Sequence, residues 1–204
     1  MPLRHRASLE VVPGLEPEAL LPLLRGRLGR PYRYVEECES TQRLLDASAP
    51  EGSTVAADHQ SAGRGRLGRT WEDVAGRSIL VSLVLRPPVP MSEWPRLSLV
   101  AGGAVAAAIR GETGVAASLR HPNDVVVAGR KLVGLLPEAR DGRVVLGIGV
   151  NVNQSADELP AETVKPATSL RVELGHAIER APLLAEILYE LEVAYDAWTG
   201  SYRG

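Results

Sequence analysis

An apolar run of eight residues, Ser78–Leu85, is the feature that most restricts the fold of this chain. It reads Ser-Ile-Leu-Val-Ser-Leu-Val-Leu, which is typical of a buried β-strand. The residues between Gly68 and this run include Asp73 and Gly76 and leave no room for a helix. The chain therefore enters a sheet directly after the glycine-rich segment that precedes the run.

That glycine-rich segment, residues 63–69, interleaves three glycines with three arginines and is followed by Trp71. Its glycine spacing matches G-x-G-x-x-G, but a dinucleotide-binding fold needs a helix to open at the last glycine. A Walker A loop is excluded because neither Gly-Lys-Ser nor Gly-Lys-Thr occurs in the chain. The composition favours a mobile loop that closes over an anion. A plain surface turn is the alternative, since Gly-Arg-Leu-Gly-Arg recurs at residues 26–30, where it is predicted to end a helix.

Composition limits the classes of partner. A chain of 204 residues with 45% hydrophobic content can bury a substantial core, most simply as one domain. The formal net charge of −2 predicts no general attraction to nucleic acid or to anionic membranes. The sequence shows neither a membrane-length apolar stretch nor a signal peptide. Cys38, the single cysteine, fits a reducing compartment, so we expect a cytoplasmic protein with no nucleic-acid and no membrane partner.

Apolar periodicity and turn residues predict an α+β domain with a mixed, largely antiparallel β-sheet flanked by α-helices. We expect residues 1–13 to be a flexible N-terminus and residues 14–204 to form a single domain. Asp141-Gly142, placed between apolar runs, is a strong hairpin signal. The predicted helices are 16–29, 40 or 41 to about 48, 92–110 and 182–198. The predicted strands are 32–35, 54–57, 78–86, 125–127, 131–139 and 143–153.

Four polar segments accompany these elements: Ser40-Thr41-Gln42, Gln60–Trp71, His121-Pro122-Asn123-Asp124 and Gly129–Leu136. In this order they resemble the biotin protein ligase family, whose catalytic domain shares its outline with lipoate ligases. The resemblance runs from about Val35 to Asn153 and continues weakly to Tyr195. It implies an ATP-dependent enzyme that converts biotin to biotinoyl-5′-AMP and then transfers biotin to a lysine of a biotin carboxyl carrier domain. Biotin and ATP, with Mg²⁺ on the triphosphate, are the implied ligands.

The resemblance implies that cations bring together the two anions of the first step. Arg64 and Arg66 match residues on the biotin carboxylate and the adenylate phosphate, and Gly65 lets the backbone approach the ligand. Lys131, one of two lysines in the chain with Lys165, matches a lysine that contacts the phosphate or carboxylate. Its compact ammonium suits a group whose geometry changes during reaction.

Other residues are assigned to the nucleotide by the same resemblance. Trp71 is expected to pack near the adenine and Arg69 to lie near the phosphates, while a core tryptophan and a solvated cation are the alternatives. Asn123 and Asp124 match a Pro-Asn-Asp element in which the aspartate orients or deprotonates the attacking amine. Asn151 matches a position near the nucleotide, with a satisfied strand-end amide as its alternative. The implied catalytic set is Arg66, Lys131 and Asp124.

The biotin-binding set comes from the first two segments and from the last. Ser40, Thr41 and Gln42 match a Ser-Thr-Asn segment whose polar groups hydrogen-bond the ureido ring, although Ser40 could equally cap a helix. The remaining members of the predicted set are Gln60, Gly134 and Leu136. No protein metal site is predicted, because the four histidines show no ligand spacing.

The chain also departs from the family pattern. Arg120 and His121 replace the Lys-Trp that usually precedes Pro-Asn-Asp. Fewer than 40 residues precede Ser40, so the resemblance implies no N-terminal winged-helix domain, and no small C-terminal β-barrel follows the last predicted helix. A lipoate or octanoate ligase-like acyltransferase and a non-catalytic biotin binder are the competing interpretations. The oligomeric state is open, with a homodimer as one alternative.

Overall fold

The centre of the protein is a seven-stranded β-sheet, in a computed structural model that describes residues 14–160 and 166–202. The strands are β1 (Tyr32–Cys38), β2 (Thr54–Gln60), β3 (Ser78–Leu85), β4 (Ser118–Arg120), β5 (Asp124–Val127), β6 (Arg130–Arg140) and β7 (Arg143–Asn151). Their order across the sheet is β1-β2-β3-β7-β6-β5-β4. β1 and β2 are parallel, and the other neighbouring pairs are antiparallel. The predicted mixed, largely antiparallel sheet is confirmed.

Helices cover one face of this sheet. They are α1 (Pro17–Leu20), α2 (Leu97–Thr113), α3 (Leu170–Leu174) and α4 (Arg180–Gly200). Helices α2 and α4 pack against each other, and their apolar residues join alternate residues of β3, β6 and β7 in the main core. The buried Arg180 connects α4 to the sheet by donating to Asp58 at 2.8 Å and to the Ser78 carbonyl at 2.9 Å. None of the helices in the described ranges is both long and apolar enough to cross a bilayer.

The opposite face of the sheet is only partly covered. There the segment 41–49 packs Leu45 against Val55, Val84 and Val145, one residue from each of β2, β3 and β7. Beyond this small cluster the same face is open above β3, β7 and β6. The candidate site lies on this open part.

The first predicted helix was wrong in extent. Helix α1 spans four residues and is followed by a 3₁₀ turn, Leu21–Leu23, so the helix does not continue to residue 29. Pro22 lies within the predicted span and cannot donate an intrahelical hydrogen bond. The N–H groups of Arg27 and Leu28 donate instead to the Glu192 carboxylate of α4, at 2.7 and 2.9 Å. A tertiary contact therefore satisfies backbone groups that a helix would have paired.

The predicted helix from Ser40 or Thr41 to about Ser48 was also wrong, since only a 3₁₀ turn forms at Thr41–Leu44. Ser40 stands before this turn, but its hydroxyl makes no capping hydrogen bond. The helix predicted over 92–110 begins as a 3₁₀ segment, Met91–Arg96, because Pro95 interrupts the α-helical hydrogen bonding. The predicted strands differ from the observed ones at their ends, and β4 was not predicted. The N-terminal segment 1–13 lies outside the described residues.

Candidate active site

The floor of the candidate site is the face of β3, β7 and β6 that points away from the main core. Its side chains are small, with Ser82 on β3, Gly147 and Gly149 on β7, and Gly134 on β6. Gly134 and Gly149 are direct partners across the β6–β7 ladder. Glycines inside strands leave the backbone uncovered, so another group can approach it closely.

A cavity lies above this floor and joins residues from all four polar segments. The residues that line it and were predicted from the sequence are Ser40, Thr41, Gln42, Gln60, Arg64, Gly65, Arg66, Trp71, Asn123, Lys131, Gly134 and Leu136. Segments separated by up to about a hundred residues in the chain thus meet at one site.

One end of the cavity is a fixed polar network. Gln60 Oε1 accepts hydrogen bonds from the Thr41 backbone N–H at 2.8 Å and from the Thr41 hydroxyl at 3.2 Å. The Thr41 and Ser82 hydroxyl oxygens are 2.7 Å apart. Ser40, Thr41 and Gln42 are each only 3% exposed. Because these groups hold one another, this end presents polar atoms in set positions.

Gln42 presents an acceptor that the protein leaves unused. Its Nε2 donates to the Leu136 carbonyl at 2.8 Å and lies 3.4 Å from the Val145 carbonyl. Its Oε1 is buried and has no hydrogen-bond partner among the described residues. A buried acceptor without a partner costs about 1–3 kcal/mol. Since Gln42 lines the cavity, this oxygen is suited to a donor on a bound ligand.

The arginine-glycine loop closes on itself above the floor. The backbone N–H of Trp71 donates to the Gly63 carbonyl at 3.0 Å, and the backbone N–H of Gly65 donates to the Arg69 carbonyl at 2.8 Å. Its tip is a 3₁₀ turn at which Leu67 has a φ of 59° and is 84% exposed. No helix opens from the last glycine, and the chain continues into β3. The dinucleotide-binding alternative is therefore excluded.

Lys131 reaches the cavity because β6 is irregular. Val125 pairs with Val133 while Val126 pairs with Lys131, so Leu132 is an extra residue in β6. Such a bulge reverses the alternation of side chains along a strand. Lys131 consequently shares the face of Gly134, and its Nζ lies 3.3 Å from the position that a Cβ on Gly134 would take.

Behind the Lys131 ammonium lies a buried carboxylate. Asp124 Oδ1 is 3.2 Å from Lys131 Nζ, and Asp124 Oδ2 is 3.5 Å from Arg120 Nη2. Arg120 also donates to the Gly129 carbonyl at 2.9 Å. Asp124 does not line the cavity itself, but it contacts two residues that do, Lys131 through its side chain and Gly134 across the β5–β6 ladder.

The two loop arginines that line the cavity contact one residue of β6 and one residue just before β5. Arg64 forms a bidentate ion pair with Glu138 of β6, at 2.6 and 3.0 Å. Arg66 donates to Asn123 Oδ1 at 3.2 Å. The Asn123 amide donates in turn to the Leu135 carbonyl at 2.8 Å. These contacts place two guanidinium groups at the rim of the cavity that Lys131 also lines.

Trp71 covers the glycine floor. A Cβ on Gly149 would lie 2.7 Å from the indole, and one on Gly134 would lie 2.8 Å from it. Lys131 Nζ is 5.4 Å from the ring centroid, within the range of a cation–π contact. The indole therefore belongs to the wall of the cavity and is not a member of either hydrophobic core cluster of the described residues.

Comparison with known proteins assigns the chain to a family. Residues 34–155 match the Biotin/lipoate A/B protein ligase family, which is more than half of the chain. A solved structure, the biotin protein ligase from Aquifex aeolicus in complex with biotin and ATP, is similar with a TM-score of 0.76 and 31% identity, over 84% of this chain and 72% of that one. The chain belongs to the Biotin/lipoate A/B protein ligase family. The family expected from the four polar segments is confirmed.

Two named relatives in this family are similar to the chain over most of its length. The biotin–[acetyl-CoA-carboxylase] ligase of Mycobacterium tuberculosis is 40% identical over 183 residues, covering 83% of this chain and 65% of the relative. The bifunctional ligase/repressor BirA of Bacillus subtilis is 39% identical over 177 residues, covering 82% of this chain and 54% of the relative. The chain thus spans about half to two thirds of the length of these relatives.

Three residues assigned from the family resemblance do not line the cavity. Asp124 lies behind Lys131, and Arg69 is exposed on the outside of the loop. Asn151 is buried at the end of β7, where it donates to the Thr168 carbonyl at 3.0 Å and accepts from Gln154 at 3.3 Å. In this arrangement Arg69 and Asn151 have the geometry of their alternatives, a solvated cation and a satisfied strand-end amide.

Several further residues of the central strands also line the cavity and were not predicted from the sequence. They are Val81, Ser82, Leu135, Gly147, Ile148 and Gly149. A signal for the last three was present, since Gly147-Ile-Gly149 places alternate glycines in an apolar strand. Among the described residues, no group of three or more histidine, cysteine or acidic side chains is placed to hold a metal ion.

Proposed function

We propose that this family member is an ATP-dependent biotin protein ligase that makes biotinoyl-5′-AMP and transfers biotin to a lysine of a carrier domain. The observation that carries the proposal is one cavity with a fixed polar end, a glycine floor and a cationic rim. Such a cavity suits a ligand that is polar and uncharged at one end and anionic at the other. The names of the relatives from Mycobacterium tuberculosis and Aquifex aeolicus support this choice.

The polar end is proposed to bind the ureido ring of biotin. Gln42 Oε1 is an unused acceptor for a ureido N–H. The hydroxyls of Ser40 and Thr41 and the amide of Gln60 are the other polar groups at this end. A ligand without ureido groups leaves buried polar atoms unpaired, which disfavours lipoate or octanoate. Leu136 and Gly134 then flank the aliphatic part of biotin.

The cationic rim is proposed to carry the first chemical step. A carboxylate oxygen of biotin attacks the α-phosphorus of ATP, the bond to the bridging oxygen breaks, and pyrophosphate leaves. Arg64, Arg66 and Lys131 offset the repulsion between the two anions and hold them together. Gly65 keeps the loop backbone close to the reacting groups. Trp71 and Asn123 are proposed to contact the nucleotide, as are Arg69 and Asn151 once the ligand is bound.

In the second step the amine of an acceptor lysine attacks the carbonyl carbon of the mixed anhydride. The new C–N bond forms as the C–O bond to AMP breaks, and the amine loses a proton. Asp124 is proposed to orient this amine, together with Lys131, which it contacts at 3.2 Å. Closure of the loop would keep water from the anhydride.

ATP is proposed to bind as its magnesium complex. The described residues contain no cluster of acidic side chains for a protein-held metal, so the phosphate oxygens and water would supply the ligands of Mg²⁺. The proposed protein partner is a biotin carboxyl carrier domain, and self-association into a homodimer is part of the proposal to be tested by sedimentation. A cytoplasmic location follows from the single cysteine and from the substrates.

The decisive experiment incubates the protein with biotin, MgATP and a biotin carboxyl carrier domain. Biotin-dependent release of pyrophosphate and biotinylation of the carrier lysine are expected. Calorimetry with biotin and lipoate in parallel separates the alternatives, because lipoate binding without biotin binding would indicate a lipoate ligase. Biotin binding without pyrophosphate release would indicate a non-catalytic binder. Absence of biotin binding and of pyrophosphate release would refute the proposal.

A further inference from the structure

Three arginines meet at one end of the open sheet face, beyond the polar end of the cavity. Arg86 follows β3, Arg140 ends β6 and Arg143 begins β7. These three strands are adjacent in the sheet, in the order β3-β7-β6. Their side chains therefore reach the same region, which is occupied by the segment 41–49.

The arginines bind the backbone carbonyls of that segment. Arg140 Nη2 donates to the Gln42 carbonyl at 2.7 Å and to the Leu45 carbonyl at 3.1 Å. Arg143 donates through Nη2 to the Leu45 carbonyl at 3.2 Å and through Nη1 to the Asp46 carbonyl. Charged donors make stronger hydrogen bonds than neutral ones. The two arginines bind carbonyls that a continuing α-helix would have paired with its own N–H groups. This explains why only one 3₁₀ turn forms in place of the predicted helix.

This arrangement is costly in electrostatic terms. Arg143 is 1% exposed, and its hydrogen bonds in the described part of the chain go to carbonyls. Burial lowers the pKa of the Arg143 guanidinium, and the nearby charges of Arg140 and Arg86 lower that pKa further. Burying the Arg143 charge close to two other cations opposes folding, so the contacts that Arg143 makes must offset that cost.

The segment held in this way carries Gln42 into the cavity. Arg140 fixes the Gln42 backbone from one side, while the Gln42 side chain donates to the Leu136 carbonyl at 2.8 Å on the other. Gln42 Nε2 also lies 3.1 Å from the position that a Cβ on Gly147 would take. With both ends of the residue fixed, the Gln42 amide, with its unused Oε1, has a set position beside the cavity that the residue lines.

We propose that Arg140 is a positioning residue for the biotin-binding end of the site, acting through the Gln42 carbonyl, with Arg143 holding the next turn of the same segment. This inference rests on the proposed function, because it assigns the Gln42 amide to biotin. Among the described residues, the hydrogen bonds of Arg140 go to the Gln42 and Leu45 carbonyls and to none of Arg64, Arg66 and Lys131 at the cationic rim, where ATP is proposed to bind. Its removal is therefore expected to weaken biotin binding and to leave the nucleotide site unchanged.

The test uses Arg140→Ala and measures pyrophosphate release with varied biotin and with varied MgATP. We expect the KM for biotin to rise about tenfold or more, which is the scale of one lost charged hydrogen bond. The KM for ATP and the kcat should stay within about twofold of the wild-type values. Arg43→Ala is the matched control, since Arg43 is next to Gln42 but its side chain is exposed and pairs with Glu39. An equal rise in both KM values would indicate a general structural loss and overturn the inference.

A double-mutant cycle tests whether Arg140 acts through Gln42. Arg140→Ala should have little further effect on the KM for biotin in a Gln42→Ala background, because the amide it positions is then absent. Additive effects of the two substitutions would overturn the inference. If Arg140→Ala does not fold, the cycle is measured with Arg140→Lys instead. A KM for biotin that Arg140→Lys leaves unchanged in both the wild-type and the Gln42→Ala proteins would also overturn the inference. A wild-type protein without biotin-dependent activity would refute the proposed function instead.

Discussion

Lys131 and Gly134 lie on the same face of β6 although three positions separate them. Side chains of a regular strand alternate between its two faces, so residues three positions apart would lie on opposite faces. The extra residue Leu132 lies between them and reverses that alternation. The ammonium is thereby carried to the glycine floor and held near Asp124, at 3.2 Å. The proposed site depends on this irregularity, because a regular strand would direct Lys131 toward the helices.

Replacing Lys131 with alanine is expected to block formation of the adenylate. The substitution removes the point charge at the cavity and the contact of that charge with the buried Asp124, whose Oδ2 also lies 3.5 Å from Arg120 Nη2. Biotin-dependent pyrophosphate release should fall at least about a hundredfold, as for the loss of one preorganised electrostatic group. Arg130→Ala is the control, since Arg130 is the adjacent cation and pairs with Glu173 away from the cavity. Unchanged adenylation in the lysine variant would remove the role assigned to Lys131.

Replacing Arg66 with glycine is expected to let biotinoyl-5′-AMP escape. Arg66 lines the cavity at the loop, where its guanidinium would hold the adenylate phosphate. Bystander proteins added to the reaction should then be biotinylated on surface lysines, as detected by avidin blotting. Leu67→Gly is a matched control, because it adds a glycine at the next position, which is 84% exposed, and keeps all the arginines. Equal labelling by both variants would attribute the escape to loop flexibility.

Adding a methyl group to the glycine floor is expected to disrupt the site while the fold is kept. In Gly149→Ala the new Cβ would lie 2.7 Å from the Trp71 indole, so the ring has to move. Such overpacking costs about 1–3 kcal/mol. Adenylation should fall about tenfold or more. Gly103→Ala has nothing within 4 Å of the new Cβ and should retain activity, with the helix stabilised by up to about 1 kcal/mol.

His59 is expected to make stability depend on pH at the base of the arginine-glycine loop. His59 Nδ1 is 2.8 Å from the fully buried Asp73 carboxylate, and this hydrogen bond raises the pKa of the imidazole above its usual value near 6.5. A pKa raised by folding stabilises the native state below the unfolded-state pKa, and this contribution is lost as pH rises through the folded-state pKa. The difference in Tm between the wild type and His59→Gln should therefore be largest near pH 6 and shrink toward pH 8. A difference independent of pH would contradict the assignment.

Much of the sheet could be predicted from local signals. The run Ser78–Leu85 and the turn at Asp141-Gly142 identified a buried strand and a hairpin, because apolar patterning and left-handed turn residues act over short distances. The helices predicted over 16–29 and from 40 or 41 to about 48 were wrong in extent. Glu192 binds backbone N–H groups of the first segment, while Arg140 and Arg143 bind backbone carbonyls of the second. These partners are more than 90 positions away in the chain.

The sequence by itself determined the largely antiparallel sheet, through local periodicity, and the family, through the order of its motifs. The resemblance to that family then implied most of the cavity residues. Tertiary structure alone decided which face Lys131 occupies, that Trp71 rests on Gly134 and Gly149, and that Ser82 joins Thr41 at the polar end. It also separated Arg69 and Asn151 from the cavity lining. The physical reason is that strand register, bulges and contacts between distant segments depend on pairing across the sheet, which neighbouring residues in the chain do not encode.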